Sequence, residues 1–343
     1  MFRQQQSEEK EVQSIITARL KYLVPQQPLK YQDALSKKLS TLTNSEMNKR
    51  LPLSNGVYIG TNESKIQDSA TVLSELPKVD TDERCHIGFS GLHNFDIANL
   101  RQSSRIIICD VNPENRLFLS NVISILCECS ERTQFIDSMV RYIEKHDLHN
   151  NPHDLSSSIN FCPNASDEEI YDGVTQNTDQ IRIELKRPNS WLHTEESFHY
   201  IRNLALNGKI ALITENITNT ATFKRIASLL QNNAIMIDSL YVSNIANYME
   251  AQDQQSFLNT THALIEGNST IVIDAYHVRV RGYFTSTLAQ RIRHGEKEQM
   301  ANATAWPFPK KQRSNLLFAN DNNGTHNPTE NSTLEPQSLS SAK

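Results

Sequence analysis

Residues 85–114 read CHIGFSGLHNFDIANLRQSSRIIICDVNPE, and this stretch decides the fold. A short apolar run leads into a loop of small residues carrying Gly88, Ser90 and Gly91, and a linker or helix then leads to a second apolar run. Glycine tolerates backbone conformations that a Cβ forbids, so such a loop lets main chain approach a ligand closely. Arg105 to Cys109 is a continuous run with β-branched residues at its centre, the mark of a strand covered on both faces. Asp110 follows at the strand's carboxyl end, about twenty residues past the loop, where nucleotide folds place the acid that accepts from ribose hydroxyls. The unit makes the chain a candidate binder of a nucleoside cofactor.

Outward from this unit, strand and helix signals alternate, the pattern of an α/β fold with a doubly wound, mostly parallel sheet. Pro113 sits where a helix begins, and Leu117, Val122, Ile125 and Leu126 give that helix an apolar face. Residues 131–190 interrupt the alternation with one amphipathic stretch (Phe135, Met139, Ile143) and a polar run, and read as an insertion. Thr194 and Glu195 open a further helix that Asn207-Gly208 ends. Strands are expected over 209–214, 235–242 and 270–276, with helices between them. The alternating segment 277–286 is expected as an antiparallel edge strand. Before the first strand, residues 61–76 look helical, as do Val12 to Leu23 until Pro25 stops them. The expected organisation is an N-terminal helical extension (1–79), a Rossmann-like domain (80–300) and a disordered tail (301–343) of low hydrophobicity.

Composition narrows the classes. The 343 residues carry a net charge of −5 with 21% charged residues, so no basic excess points to nucleic acid. No segment has eighteen uninterrupted apolar residues, which argues against a transmembrane segment, and MFRQQQSEEKEVQS has no signal-peptide core; a cytoplasmic protein is expected. The five cysteines are odd in number and mostly lie in apolar runs, as buried free thiols do.

The loop and the acid at 88–110, with the order of five strands and their helical crossovers, resemble the class I S-adenosylmethionine-dependent methyltransferases. CDVNP, FKRIASLL and LYVSNIANYM are similar to a group of uncharacterised bacterial methyltransferase-like proteins, and SNI to 3-amino-3-carboxypropyl transferases that act on lipid headgroups. The resemblance covers about residues 80–285, and the loop has two glycines where that family has three. It implies a cofactor, S-adenosylmethionine, held by Gly88, Ser90, Gly91 and Asn94 in the loop, with Asp110 and Asn112 at the ribose and Glu215 near the adenine. It implies that Tyr241, Ser243 and Asn244 face the transferred group, and that the acceptor is a small or lipid-like molecule.

Such a transfer asks the protein for positioning more than for a nucleophile–base pair, because the group is already activated. Each residue also has a purely structural account. Gly88 and Gly91 suit a turn before a helix, Asp110 or Asn112 could be the N-cap of the helix at Pro113, and Ser243 and Asn244 could cap a helix beginning at Ile245–Tyr248. Glu215 could serve the next helix, and Tyr241 could be partial core. His146, His149 and His153 lie close in sequence but lack a second ligand pair of defined geometry, so no metal is expected. Two other functions stay open: a non-catalytic protein that binds a partner through the insertion and tail, and an NAD-dependent oxidoreductase, which the absence of G-x-G-x-x-G disfavours.

Overall fold

The strand order is β3-β2-β1-β4-β5-β6, with every neighbour parallel except the last pair. The strands are β1 (Arg84–Phe89), β2 (Arg105–Asp110), β3 (Ile210–Thr214), β4 (Met236–Ser243), β5 (Ile271–Arg279) and β6 (Ser286–His294). The computed structural model describes residues 30–42, 59–61, 63–111, 113–146, 167–249, 251–265, 270–279 and 286–294. All of them fall within one unit, Met1–Trp306. Among them are nine helices: α1 (Ala34–Ser40), α2 (Ile66–Glu75), α3 (His93–Arg101), α4 (Pro113–Glu128), α5 (Arg132–Lys145), α6 (Asp167–Lys186), α7 (Glu195–Leu206), α8 (Thr220–Gln231) and α9 (Ala251–Leu264).

The isoleucine run of β2 shows why the sheet is covered twice. Ile106 and Ile108 face a core with Phe95, Phe118, Phe135, Trp191 and Phe198, whereas Ile107 and Cys109 face Phe223, Ile226, Leu230 and Phe257. Helices α3 to α7 supply the first layer, and α1, α8 and α9 the second. Side chains alternate along a strand, so only a strand apolar at every position can serve both layers. All six residues of β2 are buried.

Several expectations hold. Pro113 opens α4, and Thr194 caps α7 by accepting from the Ser197 backbone amide at 3.1 Å. Gly208, just past α7, has φ 67°; a Cβ there would lie 2.4 Å from the backbone nitrogen of Asp33. Asp33 in turn caps α1 and holds Arg105 of β2, so α1 is fastened to the sheet at the same place.

Where they are described, residues 131–190 carry α5 and α6, and Phe135, Met139 and Ile143 of α5 and Ile181 of α6 are fully buried in the first core. One expectation changes. The strand expected to end at Tyr276 runs on to Arg279, and its antiparallel partner is β6, not 277–286. No glycine or proline stands between Tyr276 and Gly282 to break the strand earlier. The helix expected at 12–23, the polar run with His149 and His153, and the tail from 301 lie outside the described residues. No helix among the described residues is long and apolar enough to cross a membrane. Cys85, Cys109, Cys127 and Cys129 are free thiols, three of them buried.

Candidate functional site

The chain winds from β1 to β3 on one side and returns to β4 on the other, so the crevice between the carboxyl ends of β1 and β4 is the switch point of the sheet. Open parallel sheets bind ligands at such a point, because the loops diverge there. Both flanking strands end on a strained serine: Ser90, just after β1, has φ 75°, and Ser243, the last residue of β4, has φ 50°. A non-glycine residue in that region costs on the order of 1 kcal/mol or more and persists only where its surroundings fix it.

One asparagine joins the turn to the expected ribose acid. Asn115 Nδ2 donates to Asp110 Oδ2 at 2.6 Å and to the Ser90 carbonyl at 3.3 Å. Asp110 is 8% exposed, at the end of β2, with its carboxylate held by Asn115. The register puts Ile108 and Tyr241 opposite Gly88. Asp110 and Tyr241 therefore rise on the same face of the sheet, with β1 between them.

Gly88 and Asn94 have an account that needs no ligand. Asn94 is fully buried; its Nδ2 donates to the carbonyls of Phe89 and Gly91, and its Oδ1 accepts from His86 Nε2 at 3.0 Å. A Cβ on Gly88 would meet Asn94 Oδ1 at 1.6 Å. The space that the glycine leaves is thus filled by this chain's own amide, which pins the turn from beneath. Gly91 is buried at that pinned turn, and Ser90 is half-buried.

His86 completes the staple. Asn94 Nδ2 has two carbonyl partners, so its oxygen faces His86, and an amide oxygen only accepts. The imidazole therefore carries its proton on Nε2 and accepts from Ser239 Oγ at Nδ1, 2.9 Å away. Burial pushes its pKa down to about 4.

Glu215 is 1% exposed and works inward. Its Oε1 accepts from the Asn216 amide, and its Oε2 accepts from Asn219 Nδ2 and Thr222 Oγ1, which ties down the start of α8. Asn244 precedes a 3-10 turn, Ile245–Tyr248, but its side chain does not cap it. Asn112 lies outside the described residues.

On the β4 side a polar network appears that the motif reading did not contain. Glu63, 4% exposed, sits over the end of β4: its Oε1 accepts from Tyr241 OH at 2.9 Å and Ser243 Oγ at 2.5 Å, and its Oε2 from Gln290 Nε2 at 2.7 Å. The same Gln290 nitrogen lies 3.0 Å from His93 Nε2. His93 Nδ1 bonds Asp96 Oδ2 at 2.8 Å, and its ring meets Tyr241 edge-on. Asp96 is closed by Arg187 and by the backbone amide of Trp191. Burial acts to raise the Asp96 pKa, but the Arg187 guanidinium and His93 outweigh it and hold the carboxyl below its usual value. Burial, with the Glu63 charge beside it, pushes the Tyr241 phenol well above its ordinary range, so it stays a donor.

The His93–Asp96 pair was legible as an i,i+3 spacing on one helix face. Glu63 and Gln290 had no local signal, because each reaches the crevice only through the tertiary fold. A separate groove of about 460 Å³ between α8 and α9, lined by Thr220, Lys224, Asn259, His262 and Ala263, gathers none of the expected residues.

A family model described as "Domain of unknown function (DUF7790)" matches residues 58–333. The chain belongs to the DUF7790 family. The match takes in both sides of the crevice, from Glu63 through Asp110 to Gln290, and also the segment 301–333 that the sequence reading assigned to a tail. No curated protein matches the chain.

Proposed function

We propose that this DUF7790 chain binds S-adenosylmethionine at the switch point of a Rossmann-like sheet and transfers a group from it, in the simplest case the methyl group, to a small or lipid-like acceptor. The observation that carries the reading is the Asn115 bridge. A carboxylate at the end of β2 and the left-handed turn after β1 are locked together by one amide, on the face where the crevice opens. That arrangement suits a ribose: Asp110 accepts from its hydroxyls in charge-assisted bonds while Asn115 keeps the carboxylate from turning. The residues fit the cofactor at the sugar, and they fit less at the adenine, where Glu215 is spent on α8.

Held at Asp110 and the Ser90 turn, a sulfonium nucleoside would supply an activated carbon to an acceptor's lone pair, with the pair of the broken C–S bond leaving on sulfur. The protein's part is then alignment and exclusion of water. The rigid serine turns at 90 and 243 fix the two rims of the crevice. Tyr241, Ser243 and Asn244 stand at the β4 rim, where an acceptor would enter.

A second reading, a non-catalytic binding protein, is favoured by one observation: Gly88, Asn94 and Glu215 are all satisfied within the chain. Calorimetric titration with S-adenosylmethionine, S-adenosylhomocysteine and NAD separates the readings. Saturable binding of the two sulfur compounds, abolished in Asp110→Ala with an unchanged circular dichroism spectrum, is the expected result. Binding of NAD alone would turn the assignment to an oxidoreductase, and silence toward all three would leave the non-catalytic protein.

A further inference from the structure

We infer that Glu63 is the residue that selects the cationic centre of the ligand in this crevice, so that a sulfonium is held in preference to the neutral thioether it becomes. The inference rests on the reading of the site given above and names the specificity of its reacting end.

Three observations lead to it. First, Glu63 is 4% exposed and its three partners, Tyr241, Ser243 and Gln290, are all neutral; among the described residues no cationic side chain pairs with it. Other buried carboxylates among the described residues do have a cation: Asp96 has Arg187, Asp238 has Arg101 and Asp274 has Arg291. Withdrawing a carboxylate from water costs several kcal/mol unless charge or hydrogen bonds compensate. Glu63 has the hydrogen bonds and lacks the charge.

Second, Gln290 is 5% exposed and its Oε1 has no hydrogen-bond partner among the described residues, although its Nε2 is bound to Glu63 and lies against His93. A buried carbonyl oxygen without a donor is costly, and native proteins rarely tolerate one without a reason. Beside the Glu63 carboxylate it adds a second acceptor of partial negative charge with nothing to receive. The carboxylate asks for positive charge, and the amide oxygen beside it for a positively polarised partner. The three donors already in place orient Glu63 but leave Oε2, with a single partner, able to take more.

Third, the position is right. Asp110 and Tyr241 rise on one face two strands apart, about 10 Å at the usual strand spacing. A sugar held at Asp110 would direct its 5′ substituent across the end of β1 toward Ser243 and Glu63. The atom that bears the charge in a sulfonium nucleoside is the atom attached there. After transfer the sulfur is neutral, the attraction to Glu63 is lost, and the product leaves more readily than the substrate.

The test is calorimetric titration of the full chain with S-adenosylmethionine and S-adenosylhomocysteine, for wild type and Glu63→Gln, which keeps the shape and removes the charge. Wild type is expected to bind the sulfonium at least about tenfold more tightly than the thioether. Glu63→Gln is expected to bring the two affinities within about twofold, chiefly by weakening the sulfonium. Should Glu63→Gln fail to fold, Glu63→Asp withdraws the charge by one methylene and is expected to reduce the ratio. A wild-type ratio near one, or a ratio that either folded variant leaves unchanged, overturns the inference while leaving the cofactor assignment intact. Silence of wild type toward both compounds overturns the assignment and the inference with it.

Discussion

Gly88 of β1 and Asn94 of α3 occupy each other's space: a Cβ on the glycine would lie 1.6 Å from Asn94 Oδ1 and 2.9 Å from His86 Nε2. The glycine in the expected cofactor loop is therefore required by the amide beneath the turn. That amide holds the carbonyls of Phe89 and Gly91 and so sets the shape that the crevice presents.

Gly88→Ala is expected to destabilise the protein by about 3 kcal/mol or more, since a methyl is forced into a packed core and the Asn94 bonds are displaced. Urea unfolding measures it. The double variant Gly88→Ala/Asn94→Ala should cost less than the sum of the two single changes by about 1 kcal/mol or more, because the clash with Asn94 is gone. Simple additivity would show that the two residues do not meet.

Burial makes His86 a source of acid sensitivity. Its folded pKa of about 4 lies below the ordinary 6.5, so the unfolded chain binds the proton first. The contribution to stability is whole above pH 6.5 and is lost as the pH falls toward 4. It amounts to about 3 kcal/mol. His86→Gln should flatten the stability profile between pH 6.5 and 4 by roughly that amount, read by urea unfolding across the window. Asp33, held at about 2 against a burial cost by the bond from Arg105 and the Ser36 amide, acts in the same sense but only between about pH 4 and 2.

Arg101 and Asp238 form a fully buried ion pair at 2.7 Å, and Arg101 also donates to the carbonyls of Leu73, Leu76 and Pro77 at the end of α2. Arg101→Leu leaves the acid without its cation and should cost about 3–5 kcal/mol. Arg101→Leu/Asp238→Leu should recover part of that loss in the same denaturation experiment, because no lone charge then remains.

Asp110→Asn keeps the side chain's shape and an oxygen for Asn115 while removing the charge. Affinity for S-adenosylmethionine is expected to fall roughly tenfold to a hundredfold, the worth of charge-assisted bonds to the sugar. Titration calorimetry gives the number, and the unfolding midpoint should stay close to that of wild type.

Much of the architecture was written locally. The isoleucine run at 106–108 determined a doubly covered strand, Pro113 and Thr194 determined helix starts, and Asn207-Gly208 determined a helix end, because each depends on neighbours within a few residues. The sheet's last hairpin was not readable, since Tyr276 to Arg279 alternates equally well as the end of one strand or the start of another. Within the site, sequence placed Asp110 beside the turn after β1, a relation set by one strand–helix–strand unit. Of the two accounts the sequence left open for Glu215, the local one holds, since it closes on Asn219 and Thr222 at the next helix. Only the tertiary structure decided that Asn94 is locked beneath Gly88. It also brought Glu63 and Gln290, 227 residues apart, to one hydrogen bond over the end of β4. Periodicity and capping are short-range consequences of backbone geometry, whereas the partners of Glu63 come from whichever distant segments the fold packs around it.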